Sequence, residues 1–239
     1  MNLIKIIEYS FFSGITVFIG GVLSYFFEIY FRNGLIKEEI IHTSIAFGGG
    51  IIIAAVSLVL VPQGMEVLAL FPMIIVFLSG AVTFFFLDKY IEKRGGAFAQ
   101  LLAMLMDFVP EAIALGALFA IDPNLGLLLA LFIGLQNLPE SFNSYLELRK
   151  IGYEPYKVLI LLFLLSFVGI ISALFGTLLL SDMPEVTASL MLFSSGGILY
   201  LIFQDIAPMS KLEKSWFPAL GVNFGFLIGM IGQKVLGVI

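Results

Sequence analysis

The chain has 239 residues, of which 60% are hydrophobic and only 12% charged, with a formal net charge of −5 and a mean hydropathy of +1.10. Soluble domains carry about a quarter charged residues, so the composition excludes a soluble globular domain and a basic nucleic-acid binder, and points to a polytopic membrane protein. The absence of cysteine excludes disulfides, thiolate metal ligands and thiol redox chemistry.

Lys5 precedes an apolar run too long for a signal-peptide core, and no small-residue cleavage site follows, so an uncleaved first helix is expected. Runs near the roughly 20 residues that cross a bilayer fall at 8–31, 41–61, 66–88, 97–121, 125–148, 156–180, 187–209 and 215–238. Between them lie polar, Gly- or Pro-bearing stretches such as "FRNGLIKEE", "VPQG", "EKRGG", "DPN" and "SDMPE". The expectation is a single all-α transmembrane domain over residues 1–239, with no room for a separate soluble domain.

The basic residues alternate along the chain. Arg32 and Lys37 follow the first run, and Lys89, Lys93 and Arg94 the third. Arg149, Lys150 and Lys157 follow the fifth, and Lys211 and Lys214 the seventh, while the even-numbered connections hold none. By the positive-inside rule those four loops are cytoplasmic and both termini face outward, in a multi-pass protein of the cell (inner) membrane.

"FGGG" at 47–50 is followed by Pro62, and "FSSG" at 193–196 by Pro208 at the same spacing. One set lies on the second helix and the other on the seventh, which run in opposite directions. The fourth and fifth helices share a second spacing: "DFVPEAIALG" from Asp107 and "QNLPESFNSY" from Gln136. Antiparallel relatives of this kind suggest an inverted repeat, a common plan of secondary transporters; chance recurrence of Gly and Pro is the alternative.

Residues four apart share a helical face, so Asp107 pairs with Glu111 and Gln136 with Glu140. Pro110 cannot donate to the carbonyl of Met106, nor Pro139 to that of Leu135. Each face thus offers two side-chain oxygen groups and a nearby freed carbonyl. A carboxylate at the bilayer centre costs about 2.5–3.5 kcal/mol on insertion scales, and clustered carboxylates repel each other. A divalent cation or a shared proton removes both penalties. Snorkelling to the interface, or protonated acids bonded between helices, are the structural alternatives.

These residues resemble those of the ZIP (Zrt/Irt-like) family of divalent metal transporters. The fourth helix of that family typically reads His-Asn-x-Pro-Glu-Gly, matched here by Asp107, Phe108, Val109, Pro110, Glu111 and Ala112. The fifth, in one bacterial branch, reads Gln-Asn-x-Pro-Glu-Gly, matched by Gln136, Asn137, Leu138, Pro139, Glu140 and Ser141. "AFGGGIIIAAVSLVLVPQG" looks like its second helix, "FLDKY" like the end of its third, and "GILYLIFQDIAPMS" like its seventh, with an acid at Asp205. The resemblance implies eight helices in a 3+2+3 inverted repeat, both termini outside, and a first metal position of Asp107, Glu111, Gln136 and Glu140. Asn137 and Asp205 become pathway residues. The departures imply more. The imidazole is replaced by Asp107, the ligating Asn by Phe108, and the helix-six Glu falls at Gly169, so a second metal position is expected to be lost.

Carboxylate and amide oxygens suit harder ions than imidazole does, which puts Mn²⁺ or Fe²⁺ ahead of Zn²⁺ as cargo. The implied function is transport of divalent metal cations toward the cytoplasm, with the ion as substrate and no cofactor. The alternatives are a carrier for another cation or for protons, and a non-transporting relative acting as sensor or partner protein. No P-loop, HExxH or Gly-x-Ser-x-Gly is present, so an enzyme is not expected. Asp88 is read as an interface acid and His42 as an interfacial residue. The stripe Gly221, Gly225 and Gly229 is read as close helix packing, with a homodimer contact as its second use. Beyond the ion, the expected partner is the lipid bilayer.

Overall fold

In hydrocarbon no water is present to satisfy a free N–H or C=O, so an apolar chain of this kind closes its backbone bonds within helices. The computed structural model describes residues 3–31 and 34–237, with the side chains of 97, 98 and 100 left aside. Arg32, counted among the cytoplasmic charges above, and residue 238 of the last expected span lie outside the described residues. Among the described residues eight helices are long and apolar enough to cross a membrane. They are α1 (Leu3–Tyr30), α2 (Leu35–Val67), α3 (Leu70–Arg94), α4 (Leu101–Ile121), α5 (Pro123–Lys150), α6 (Pro155–Leu180), α7 (Pro184–Ser210) and α8 (Phe217–Leu236). Among the described residues the only non-helical pairing is a lone antiparallel bridge between Leu212 and Ser215.

The second helix runs past Pro62, read as a break, and the seventh keeps Pro208 inside it as expected; both run a few residues beyond the apolar count. The reason is local. Val56–Leu60 in α2 and Ile202–Ile206 in α7 form π-helical turns. Each widened turn ends on a bond spanning five residues, Val61 N–H to the Val56 carbonyl and Ala207 N–H to the Ile202 carbonyl. Pro62 and Pro208 follow immediately, so the missing proton is absorbed at a place where the ladder is already shifted. Asp205 sits inside the second of these turns. A third π turn, Gly176–Leu180, ends α6.

Small residues set the packing. α2 lies along α8, α3 along α7, α1 along α5, and α4 against both α5 and α6. A Cβ at Gly225 would collide with the Phe47 carbonyl oxygen, and one at Gly80 with the Phe193 carbonyl oxygen. Conversely, Gly50 meets the Val222 carbonyl and Gly196 the Phe77 carbonyl. The two helix pairs therefore touch through the same device in the same register, backbone against backbone. The Gly221, Gly225 and Gly229 stripe is consumed by α2 inside the chain, against Thr43, Phe47 and Ala54.

The main apolar cluster extends through the half of the protein facing away from the basic loops. There Val59 and Leu60 of α2, Leu115 and Leu118 of α4, Leu128, Leu129 and Phe132 of α5 and Met191 of α7 are all buried in one apolar cluster. The outer faces of α3, α6 and α8 carry exposed Leu, Ile and Phe side chains, as a lipid-contacting surface requires. At the basic end, α1 is tied to α5 through Glu28, whose Oε2 accepts from Tyr145 Oη and Arg149 Nε at 3.1 Å each. The lone histidine, His42, lies 2.7 Å from the Met209 carbonyl through Nδ1, joining α2 to the end of α7.

Candidate metal centre

Pro110 and Pro139 stay inside continuous helices, so the faces they mark remain helical and turn toward one another. Glu111 is fully buried on α4, and its Oε2 accepts from Gln136 Nε2 of α5 at 2.5 Å. This amide bridge joins the two motifs directly. Asp107, one turn earlier, is 6% exposed and its Oδ1 accepts from the Phe108 N–H at 2.8 Å. Asn137 is turned to α1, where its Nδ2 donates to the Ser13 carbonyl at 3.1 Å.

What these side chains leave unused matters most. Glu111 Oε1, Gln136 Oε1, Asn137 Oδ1 and Glu140 Oε2 are buried and have no hydrogen-bond partner. Buried acceptors without donors cost about 1–3 kcal/mol each, and native interiors hold few. Here four belong to consecutive turns of two facing motifs. Among the described residues no three His, Cys, Asp or Glu side chains converge tightly enough to hold an ion alone, so a cation at this place would draw on amide oxygens as well as carboxylates.

Asp107, Gln136 and Glu140 line a cavity of about 420 Å³. It is also walled by Gly48 and Gly49 of α2, Asp88 and Glu92 of α3, Asn143 and Glu147 of α5, and Asp205 of α7. Gly95, Ile151 and Met209, also on its walls, lie at the helix ends that carry the basic loops. The cavity thus runs from the paired motifs to that one face, while the opposite half is the closed apolar core. Glu111 and Asn137 lie behind its inner wall and do not line it.

Phe108 and Gly169 turn out to be one packing unit. The Phe108 ring is 3% exposed, and its Cζ stands 2.6 Å from where a Cβ on Gly169 would be. Any larger residue on α6 at this point would need the space the ring fills. Sequence reading treated the two positions as separate departures; the fold couples them.

The reading placed Asp205 on a pathway, and it lines the cavity. Asp88, expected at the interface, lines the same cavity near the basic face, and its Oδ2 accepts from Tyr200 Oη at 2.9 Å. Asn143, Glu147 and Glu92 were missed. Their signal was present, since Gln136, Glu140, Asn143 and Glu147 recur at helical spacing, as do Asp88 and Glu92.

Fold and site together define a multi-pass membrane protein with a polar, acid-rich cavity ending at a buried carboxylate–amide cluster between its fourth and fifth helices. Over 149 residues the chain is 34% identical to the zinc transporter GufA of Myxococcus xanthus, covering 61% of this chain and 58% of that protein. A second alignment of 149 residues is 26% identical to the zinc transporter ZIP13 of Pongo abelii, covering 58% of this chain and 45% of that one. The chain thus spans about half the length of the curated relatives it matches, and no family model matches it. Both relatives are zinc transporters, and the second is named ZIP13, so the similarity points to the ZIP family.

Proposed function

We propose that the protein is a transporter of the cell membrane, not an enzyme, that moves divalent metal cations toward the cytoplasm through a site between α4 and α5. The carrying observation is the set of buried, unpartnered oxygens on Glu111, Gln136 and Glu140, of which Gln136 and Glu140 line the acidic cavity and Glu111 lies just behind its wall. Asp107, Glu111, Gln136 and Glu140 hold the ion. Carboxylates supply charge, and the amide of Gln136 positions Glu111 while offering its own oxygen. Both relatives carry the name zinc transporter, but this chain has Asp107 where the family has imidazole. Oxygen donors favour harder ions, so Mn²⁺ and Fe²⁺ are preferred cargo, with Zn²⁺ also within range of an oxygen site.

The orientation given by the basic loops puts the cavity on the cytoplasmic side, and the conformation is inward-facing. The outward gate is the apolar layer of Leu115, Leu118, Leu128 and Met191. Alternating access then opens that layer while closing the cavity. The matching π turns, prolines and reciprocal glycine contacts of α2 with α8 and α3 with α7 support an inverted repeat as the basis of the exchange. The filled Phe108–Gly169 contact supports a single ion position. The test is binding to purified protein of Mn²⁺, Fe²⁺, Zn²⁺, Co²⁺, Cd²⁺, Mg²⁺ and Ca²⁺, with Asp107→Ala and Glu140→Ala alongside, followed by uptake into proteoliposomes. One ion per chain, lost in both variants, is expected. Binding that survives both substitutions would reject the site, and strong Zn²⁺ uptake without Mn²⁺ or Fe²⁺ uptake would reject the preference.

A further inference from the structure

An ion released from Glu140 toward the basic face must cross the cavity before it meets bulk water. Asn143 lies one turn inward from Glu140 on the same face of α5 and lines the same cavity. Its side chain is almost wholly enclosed, with 8% of the residue exposed. Among the described residues no hydrogen bond holds its amide, although Asn137, Ser141, Tyr145 and Arg149 on the same helix are all bonded. Its amide is not among the sealed, partnerless atoms, so its polar end opens onto the cavity. Its carbonyl oxygen is a ligand type that divalent cations accept.

The opposite walls supply what an ion would meet next. Asp205 is half-buried in the π turn of α7 and makes no ion pair among the described residues. Asp88 on α3 uses Oδ2 to accept from Tyr200 Oη, leaving Oδ1 free of that bond. Glu147, further along α5, is instead paired with Lys150 at 2.7 Å. An oxygen ligand between Glu140 and the acids of the far walls spares the ion an unligated step across the cavity.

Building on the transport reading above, we propose that Asn143 is an ion-handing residue on the release path, taking a divalent cation from Glu140 and passing it to Asp205 and Asp88 across the cavity. Purified protein carrying Asn143→Leu, Asn143→Ala or Asn143→Asp is compared with wild type in two assays, equilibrium binding of Mn²⁺ and Zn²⁺ and initial uptake of the same ions into proteoliposomes. Asn143→Leu and Asn143→Ala are expected to bind the ions as wild type does while uptake slows about tenfold, the scale of effect seen when groups just outside a metal's ligands are removed. Asn143→Asp, which keeps a ligating oxygen, is expected to recover a large part of the rate. Unchanged uptake in Asn143→Leu would overturn the proposal. So would equal loss of binding and uptake without recovery in Asn143→Asp, which would place Asn143 in the fold or in the centre itself. Failure of the wild type to bind either ion, or binding indifferent to Glu140→Ala, would instead overturn the centre and the hand-off with it.

Discussion

Replacing Glu111 by Gln separates the cost of the buried acid from its use. Glu111 is fully buried, and among the described residues its only hydrogen-bond partner is Gln136, with none at Oε1. A charged carboxylate at this depth costs about 2.5–3.5 kcal/mol, and Asp107 and Glu140 stand nearby on the same paired faces. A glutamine keeps an oxygen for the Gln136 amide and removes one desolvated charge. Metal-free Glu111→Gln protein is therefore expected to melt at or above the wild-type temperature. Wild type at an ion concentration of 100 times Kd gains about 2.7 kcal/mol, which for a chain of this length is a rise of about 5–11 °C. The variant, short of one anionic ligand, is expected to lose most of that rise. Thermal melts in detergent, with chelator and then with Mn²⁺ or Zn²⁺, read both effects. The reasoning fails if the metal-free variant melts well below wild type, since Glu111 would then be holding the helices together, or if the ion-induced rise survives intact.

Three further outcomes follow from the packing. Phe108→Ala removes a ring that is 3% exposed and fills the gap at Gly169, so a loss of about 3–5 kcal/mol in stability is expected from melts. Gly80→Val and Gly225→Val each drive a side chain into a backbone carbonyl across the α3–α7 or α2–α8 contact; overpacking of about 1–3 kcal/mol or more should cut the folded yield in both by similar amounts, and tolerance of one alone would break the proposed equivalence of the two pairs. Because the chain has no cysteine, Ala103→Cys on the cavity wall should react with a membrane-impermeant thiol reagent added from the cytoplasmic side, while Leu128→Cys in the apolar layer should not. The reverse pattern would refute the inward-facing assignment.

Much of this was legible in the sequence because the bilayer imposes a strong and local constraint. Twenty apolar residues in a row have few options other than a spanning helix, and the alternation of Lys and Arg is a one-dimensional pattern that needs no contacts to read. The Pro-Glu spacing was equally local, since residues four apart share a face in any helix. That is why the eight spans were nameable before any coordinates, and why Asp107 could be paired with Glu111 and Gln136 with Glu140 on helical faces. Tertiary structure alone decided which helices touch. It showed that Gln136 bridges to Glu111 while Asn137 turns away to α1, a choice made by the rotation of α5 between its neighbours. It carried α2 and α7 past their prolines by widening one turn, a compensation that depends on backbone geometry and not on composition. It also brought Phe108 onto Gly169, and Asp88 and Asn143 into one cavity from α3 and α5. Such convergences arise from packing distant segments together, and no single stretch of sequence encodes them.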